Sequence, residues 1–203
     1  MRTIEISLDE SLAQRLEWES SQSGLALEQF VTTLLRNRAE RPRQWMPQEE
    51  WDALASGAAC PICRTLAASE WADAYGFTIA DLRLSRLRLV RNQSVPGYCV
   101  LLCREHVVEP YDLSAEKRLL FWEDTLSAAQ AIARVFKPVK MNFQILGNAV
   151  PHLHTHIVPR YYGDWAPGRP IDPSEREVPL KPAEYEERVR LIRAALAQSG
   201  TRH

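Results

Sequence analysis

Three histidines stand at alternate positions in the segment Pro151-His152-Leu153-His154-Thr155-His156-Ile157-Val158-Pro159-Arg160. In an extended strand alternate side chains share a face. His152, His154 and His156 therefore line one surface, and Leu153, Thr155 and Ile157 point the other way. The chain has only 5 histidines in 203 residues, so abundance does not explain the cluster. Imidazoles are poor strand formers beside Val or Ile, and three in a row make costly packing filler. The pattern predicts a strand with a core on one face and a metal or phosphate site on the other.

The neighbouring patterns predict an α+β fold with a mainly antiparallel sheet and one long helix. Leu82, Leu84, Leu87, Leu89 and Val90 mark one or two strands, and Tyr98 to Cys103 another after a Pro96-Gly97 turn. Ser114 caps a long helix whose inner side is expected at Leu119, Trp122, Leu126, Ala129, Ala133 and Phe136. Pro138 ends it. Residues 141–146 and 152–158 are further strands. Six prolines between 159 and 182 predict an irregular excursion. A last helix over 183–197 buries Tyr185, Val189, Ile192 and Leu196. This domain is expected to span 59–203, preceded by a linker over 41–58 with one short helix near Pro47.

Residues 1–40 read as a separate strand-helix-helix segment. Ile4, Ile6 and Leu8 alternate with Thr3, Glu5 and Ser7. Asp9 or Ser7 caps a first helix, Gly24 breaks it, and Phe30, Val31, Leu34 and Leu35 mark a second. The order resembles ribbon-helix-helix domains, in which two chains pair their strands. Four arginines face seven acidic residues in this segment, a charge of −3 that suits DNA phosphates poorly. A dimerisation or docking role is favoured over DNA binding. The whole chain carries −1, which argues against a general nucleic-acid binder. No apolar run is long enough for a membrane span, and the N-terminus lacks an apolar signal core. Four cysteines are too few for a disulfide scaffold, so a cytoplasmic, reduced chain is expected.

Cys60-Pro61-Ile62-Cys63 is a C-x-x-C that alone fits zinc or a redox pair. Cys99 and Cys103 read as buried apolar residues.

His152 to Val158 resembles the motif of the histidine triad (HIT) family. Pro96-Gly97, Arg104-Glu105-His106, the long helix and Gly147-Asn148-Ala149-Val150 are similar to that family's flanking pattern. The resemblance implies a HIT-like fold and a covalent attack by His154 on the α-phosphorus of a nucleotide, with His156 stabilising charge. Transferases that carry uridylyl groups usually have Gln at the third position, so His156 points to hydrolase branches. Their substrates are dinucleoside polyphosphates or nucleoside phosphoramidates. The resemblance also implies a structural zinc on Cys60, Cys63, His106 and His152, a phosphate contact from Asn148, and a homodimer. Family members usually place an Asp or Asn for ribose seven residues before the turn glycine, where this chain has Val90. Asn92 and Gln93 are the expected substitutes, with Arg160 a further phosphate contact. The competing expectation is a nucleotide-sensing binding protein whose N-terminal segment docks DNA or a protein partner.

Overall fold

The computed structural model describes residues 5–40, 45–68 and 70–198. Thr3, Ile4, residues 41–44 and His203 lie outside them. The chain divides into two units, residues 1–45 and 46–203.

In the first unit, helices α1 (Glu10–Ser23) and α2 (Leu27–Glu40) follow the predicted order. The Asp9 carboxylate caps α1 by accepting from the Leu12 N–H at 2.9 Å. The expected strand is not seen over residues 5–9. A strand needs a ladder partner, and none is present among the described residues. Ile6, Leu8, Trp18 and Leu35 remain exposed, while Phe30 is buried.

The second unit opens with α3 (Gln48–Ala55) and α4 (Pro61–Ala67). Five antiparallel strands follow: β1 (Gly76–Asp81), β2 (Ser85–Val90), β3 (Cys99–Cys103), β4 (Lys140–Gln144) and β5 (His154–Arg160). Their spatial order is β1-β2-β3-β5-β4. Helix α5 (Ala115–Phe136) joins β3 to β4, and α6 (Pro182–Ala197) closes the fold. Gly97, at φ 81°, makes the turn into β3, and a Cβ there would meet the Phe136 ring at 2.7 Å.

One face of the sheet is the core. Leu87, Leu89, Leu101, Leu153 and Ile157 pack with Phe121, Ala128 and Ile132 of α5 and with Tyr185, Val189 and Ile192 of α6. Cys99 and Cys103 are fully buried there, as expected. The inner side of α5 matches the expected one in part: Ala129 is in the core and Phe136 packs against it, but other large side chains do not. Leu119 is 68% exposed, Trp122 47% and Leu126 46%. The helix carries two apolar stripes, and the one with Ala128 and Ala131 lets its backbone approach the sheet closely. The bulkier stripe faces outward.

Candidate active site and metal centre

The alternation on β5 divides His154 and His156 from the core as expected, whereas His152 sits at a bend before the strand and is fully buried. Leu153, Thr155 and Ile157 are buried, and His154 and His156 open onto the other face. Leu102 lies opposite His154 and Val100 opposite His156 across β3. A cavity of about 440 Å³ fronts the two rings, bordered by β2, β3, α4 and the Gly147–Val150 loop.

His154 Nδ1 lies 2.6 Å from the His152 carbonyl, an acceptor, so Nδ1 carries the proton. Nε2 is then unprotonated and faces outward. Burial lowers the His154 pKa, which keeps the ring neutral. His156 Nδ1 lies 2.7 Å from the Tyr98 hydroxyl. Burial raises the Tyr98 pKa, so the phenol keeps its proton. Tyr98 O–H therefore donates to His156 Nδ1, and His156 Nε2 carries a proton toward the cavity. Tyr98 was not singled out from sequence. Its place directly after Pro96-Gly97 was the available signal.

Burial, and then the charge of His154, push the His156 pKa from 6.5 to about 4. The unfolded chain takes up this proton below 6.5 and the folded chain does not. Stability from this group is complete above pH 6.5 and is lost as pH falls toward 4. Equilibrium unfolding at pH 7 and pH 5 should cost the wild type more stability than His156→Gln. Equal losses would remove His156 from this balance.

The metal-ligand set assembles beside the histidine strand. Cys60, Cys63, His106 and His152 place their ligand atoms within 4.8 Å of one another. Cys60 Sγ is 3.4 Å from His152 Nδ1, Cys63 Sγ is 3.3 Å from His106 Nδ1, and the two Nδ1 atoms are 3.1 Å apart. Zinc bonds of about 2.3 Å to sulfur and 2.0 Å to nitrogen give tetrahedron edges of roughly 3.3–3.8 Å. The ring orientations fit as well. His106 Nε2 donates to the Ala55 carbonyl at 2.8 Å, and His152 Nε2 to the Cys103 carbonyl at 2.8 Å. Both Nδ1 lone pairs then point at each other, which is repulsive unless a cation lies between them. The four residues fit a structural zinc site. Gly57, at φ 85°, lies against the His106 ring, where a Cβ would approach to 3.3 Å. Residues 46–58 are thus part of this unit and support its ligands, rather than a free linker.

The remaining expected contacts divide. Asn148 lines the cavity with His154 and His156. Asn92 borders an adjoining cavity on the other side of His156. Its amide is committed, donating to the Pro173 and Arg176 carbonyls and accepting from the Ser94 and Val178 N–H groups. Gln93 is buried, donating to the Val90 and Tyr98 carbonyls and accepting from the Gly97 N–H and Arg188. It staples the turn and lines neither cavity. Arg160 is bound to Asp164, Asn142 and the carbonyls of Ala166 and Arg169. Its donors serve the proline-rich segment and Asn142 of β4, and it lines neither cavity at the histidines.

An antiparallel sheet that presents alternate histidines beside a Cys/His cluster defines a histidine-triad architecture. Residues 73–163 match the family model described as HIT domain. Among solved structures, a histidine triad protein from Bradyrhizobium japonicum is 27% identical, with a TM-score of 0.54, covering 60% of this chain and 90% of that one. One from Marinobacter aquaeolei is 26% identical, with a TM-score of 0.58, covering 66% and 94%. A zinc-bound histidine triad family protein from Mycobacterium smegmatis shares the fold at 24% identity and a TM-score of 0.53, covering 72% and 99%. No curated protein matches the sequence.

Proposed function

We propose that residues 46–203 act at the α-phosphate of a nucleotide through a covalent nucleotidyl-His154 intermediate, as a hydrolase or nucleotidyl transferase. The observation that carries this reading is the 2.6 Å contact between His154 Nδ1 and the His152 carbonyl. It leaves the Nε2 lone pair as the nucleophile. That lone pair forms the N–P bond while the bond from phosphorus to the leaving group breaks, and the leaving group departs with the bonding pair. His156 donates its Nε2–H to the phosphoryl or bridging oxygen, where charge grows. Asn148 contacts the same phosphate. Water, or another acceptor, then attacks phosphorus, the N–P bond breaks and Nε2 regains its pair. Phosphoramidate and dinucleoside polyphosphate substrates both suit this sequence of steps. The test is turnover of a panel of such conjugates.

Zinc on Cys60, Cys63, His106 and His152 would supply a structural cross-link. It would hold His152, whose carbonyl orients His154. The Mycobacterium smegmatis relative, described as zinc-bound, supports this occupancy.

Tyr98 holds His156 in the tautomer that can donate. Tyr98→Phe leaves Nδ1 without a partner and frees the ring to invert. We expect kcat to fall about tenfold with KM little changed. Unchanged kcat in steady-state assays would contradict this role.

The outward stripe of α5, with Leu119, Trp122 and Leu126, supports the homodimer reading. Trp122→Glu should halve the mass measured by sedimentation, and an unchanged mass would refute this surface. Residues 1–40 are read as a dimerisation or docking segment, on their exposed apolar residues and their charge of −3. No mobility shift on random DNA at low salt is expected. No helix among the described residues is long and apolar enough to cross a membrane. We assign a cytoplasmic location on the four cysteines, none of them in a disulfide.

A further inference from the structure

The cavity before the histidines is apolar where a nucleoside would lie. Val90, Val100 and Leu102 form its floor, with Pro61 and Ile62 of α4 beside them. Among the described residues that line it there is no carboxylate; the adjoining cavity has Asp172, whose Oδ1 accepts from the Ser174 N–H and hydroxyl. Arg88 is 4% exposed, and its guanidinium is bound to Asp73 at 2.7 Å and to the Gly76 carbonyl at 2.8 Å. The Asp73 carboxylate also accepts from the Tyr75 and Gly76 N–H groups and from the Thr65 hydroxyl. It is spent on the protein. Asn92 and Gln93 are spent likewise, as described above.

A pair of neighbouring sugar hydroxyls is read by an oxygen that accepts both protons. Here Val90 ends β2 at the junction of the two cavities that meet at His156. It offers methyl groups where such an acceptor would stand. A hydroxyl pressed against it loses water and gains no partner.

Resting on the assignment of His154 as nucleophile, we propose that this site holds the nucleoside by apolar contact and does not read the sugar hydroxyls. Ribonucleotide and 2′-deoxyribonucleotide conjugates are then handled alike, and Val90 is the specificity-determining residue. A pocket built to hydrogen-bond a hydroxyl rejects the analogue that lacks it by up to about 10⁴-fold. This cavity offers no carboxylate for that task. Beyond Arg88, Tyr98 and the histidines, its polar side chains are the Thr65 hydroxyl, bound to Asp73, the exposed Tyr75 phenol, and Asn148, assigned above to the phosphate.

The test uses the full zinc-loaded chain. The probes are the four common ribonucleoside 5′-phosphoramidates and their 2′-deoxy counterparts, with kcat/KM measured for each. In parallel, calorimetry gives Kd for the matching nucleoside monophosphates. The two series should agree within about threefold, or favour the deoxy member. A ribose preference of tenfold or more in either measurement overturns the proposal. Val90→Asn should create a ribose preference of about tenfold, while Val90→Ala should leave the ratio near one. An unchanged ratio in Val90→Asn removes Val90 as the determinant. The binding arm needs no catalysis. Equal binding without turnover would sink the nucleophile and keep this inference, and no binding of any probe would sink the inference.

Discussion

Replacing His154 with alanine should abolish turnover, with kcat falling by about 10⁴-fold or more against any conjugate the wild type accepts. The expectation follows from its two ring nitrogens having different tasks. Nδ1–H is held by the His152 carbonyl at 2.6 Å, and the opposite nitrogen is left as a neutral nucleophile. No neighbouring side chain can take over, because His156 already accepts from Tyr98 and presents a proton to the cavity. His156→Ala should cost less, on the order of 10² to 10³, since it removes one donor to the transition state and keeps the covalent route. Equal effects of the two substitutions would mean that the roles have been divided wrongly. Circular dichroism of both variants checks that the fold survives.

The second large effect concerns the metal. Cys60→Ser should lower zinc content from about one per chain to well below that and reduce Tm by on the order of 10 °C. The ligands come from α4 and its cap, from the loop after β3 and from the bend two residues before β5, so one ion ties three separate segments together. Without it the facing Nδ1 atoms of His106 and His152, 3.1 Å apart, repel. Activity should fall too, because the carbonyl that orients His154 belongs to the ligand His152. A chelator should reproduce both losses in the wild type, and restored zinc should reverse them. Metal analysis showing no zinc in the wild type, or an unchanged Tm in Cys60→Ser, would contradict the structural cross-link.

The histidine strand was legible because period-2 alternation is a property of the backbone alone. Alternation puts His154 and His156 on one face and Thr155 and Ile157 in the core; His152, two residues before the strand, turns instead into the Cys/His cluster, which alternation alone does not reveal. Caps were legible for the same local reason, as Asp9 and Ser114 show. What depends on tertiary packing was not. The sequence of α5 supports two apolar faces, and only the close approach of Ala128 and Ala131 to the sheet selects between them. Asn92, Gln93 and Arg160 are polar groups close to the motif in sequence, yet Asn92 and Gln93 are held largely by backbone groups of the turn and the proline-rich segment, and Arg160 by Asp164, Asn142 and two carbonyls. Tyr98 was hidden because its partner, His156, is 58 residues away. The segment before α4 read as a linker because nothing local reveals that the Ala55 carbonyl meets a ring 51 residues on.

The proposed covalent intermediate is open to direct observation. A phosphorus–nitrogen bond on imidazole survives alkali, so the wild-type protein can be mixed with a nucleoside phosphoramidate, quenched in base and weighed by intact mass spectrometry. A mass increase of one nucleoside monophosphate, mapped to His154 and missing in His154→Ala, is the predicted result. Turnover in the wild type with no adduct, and undiminished in His154→Ala, would contradict it.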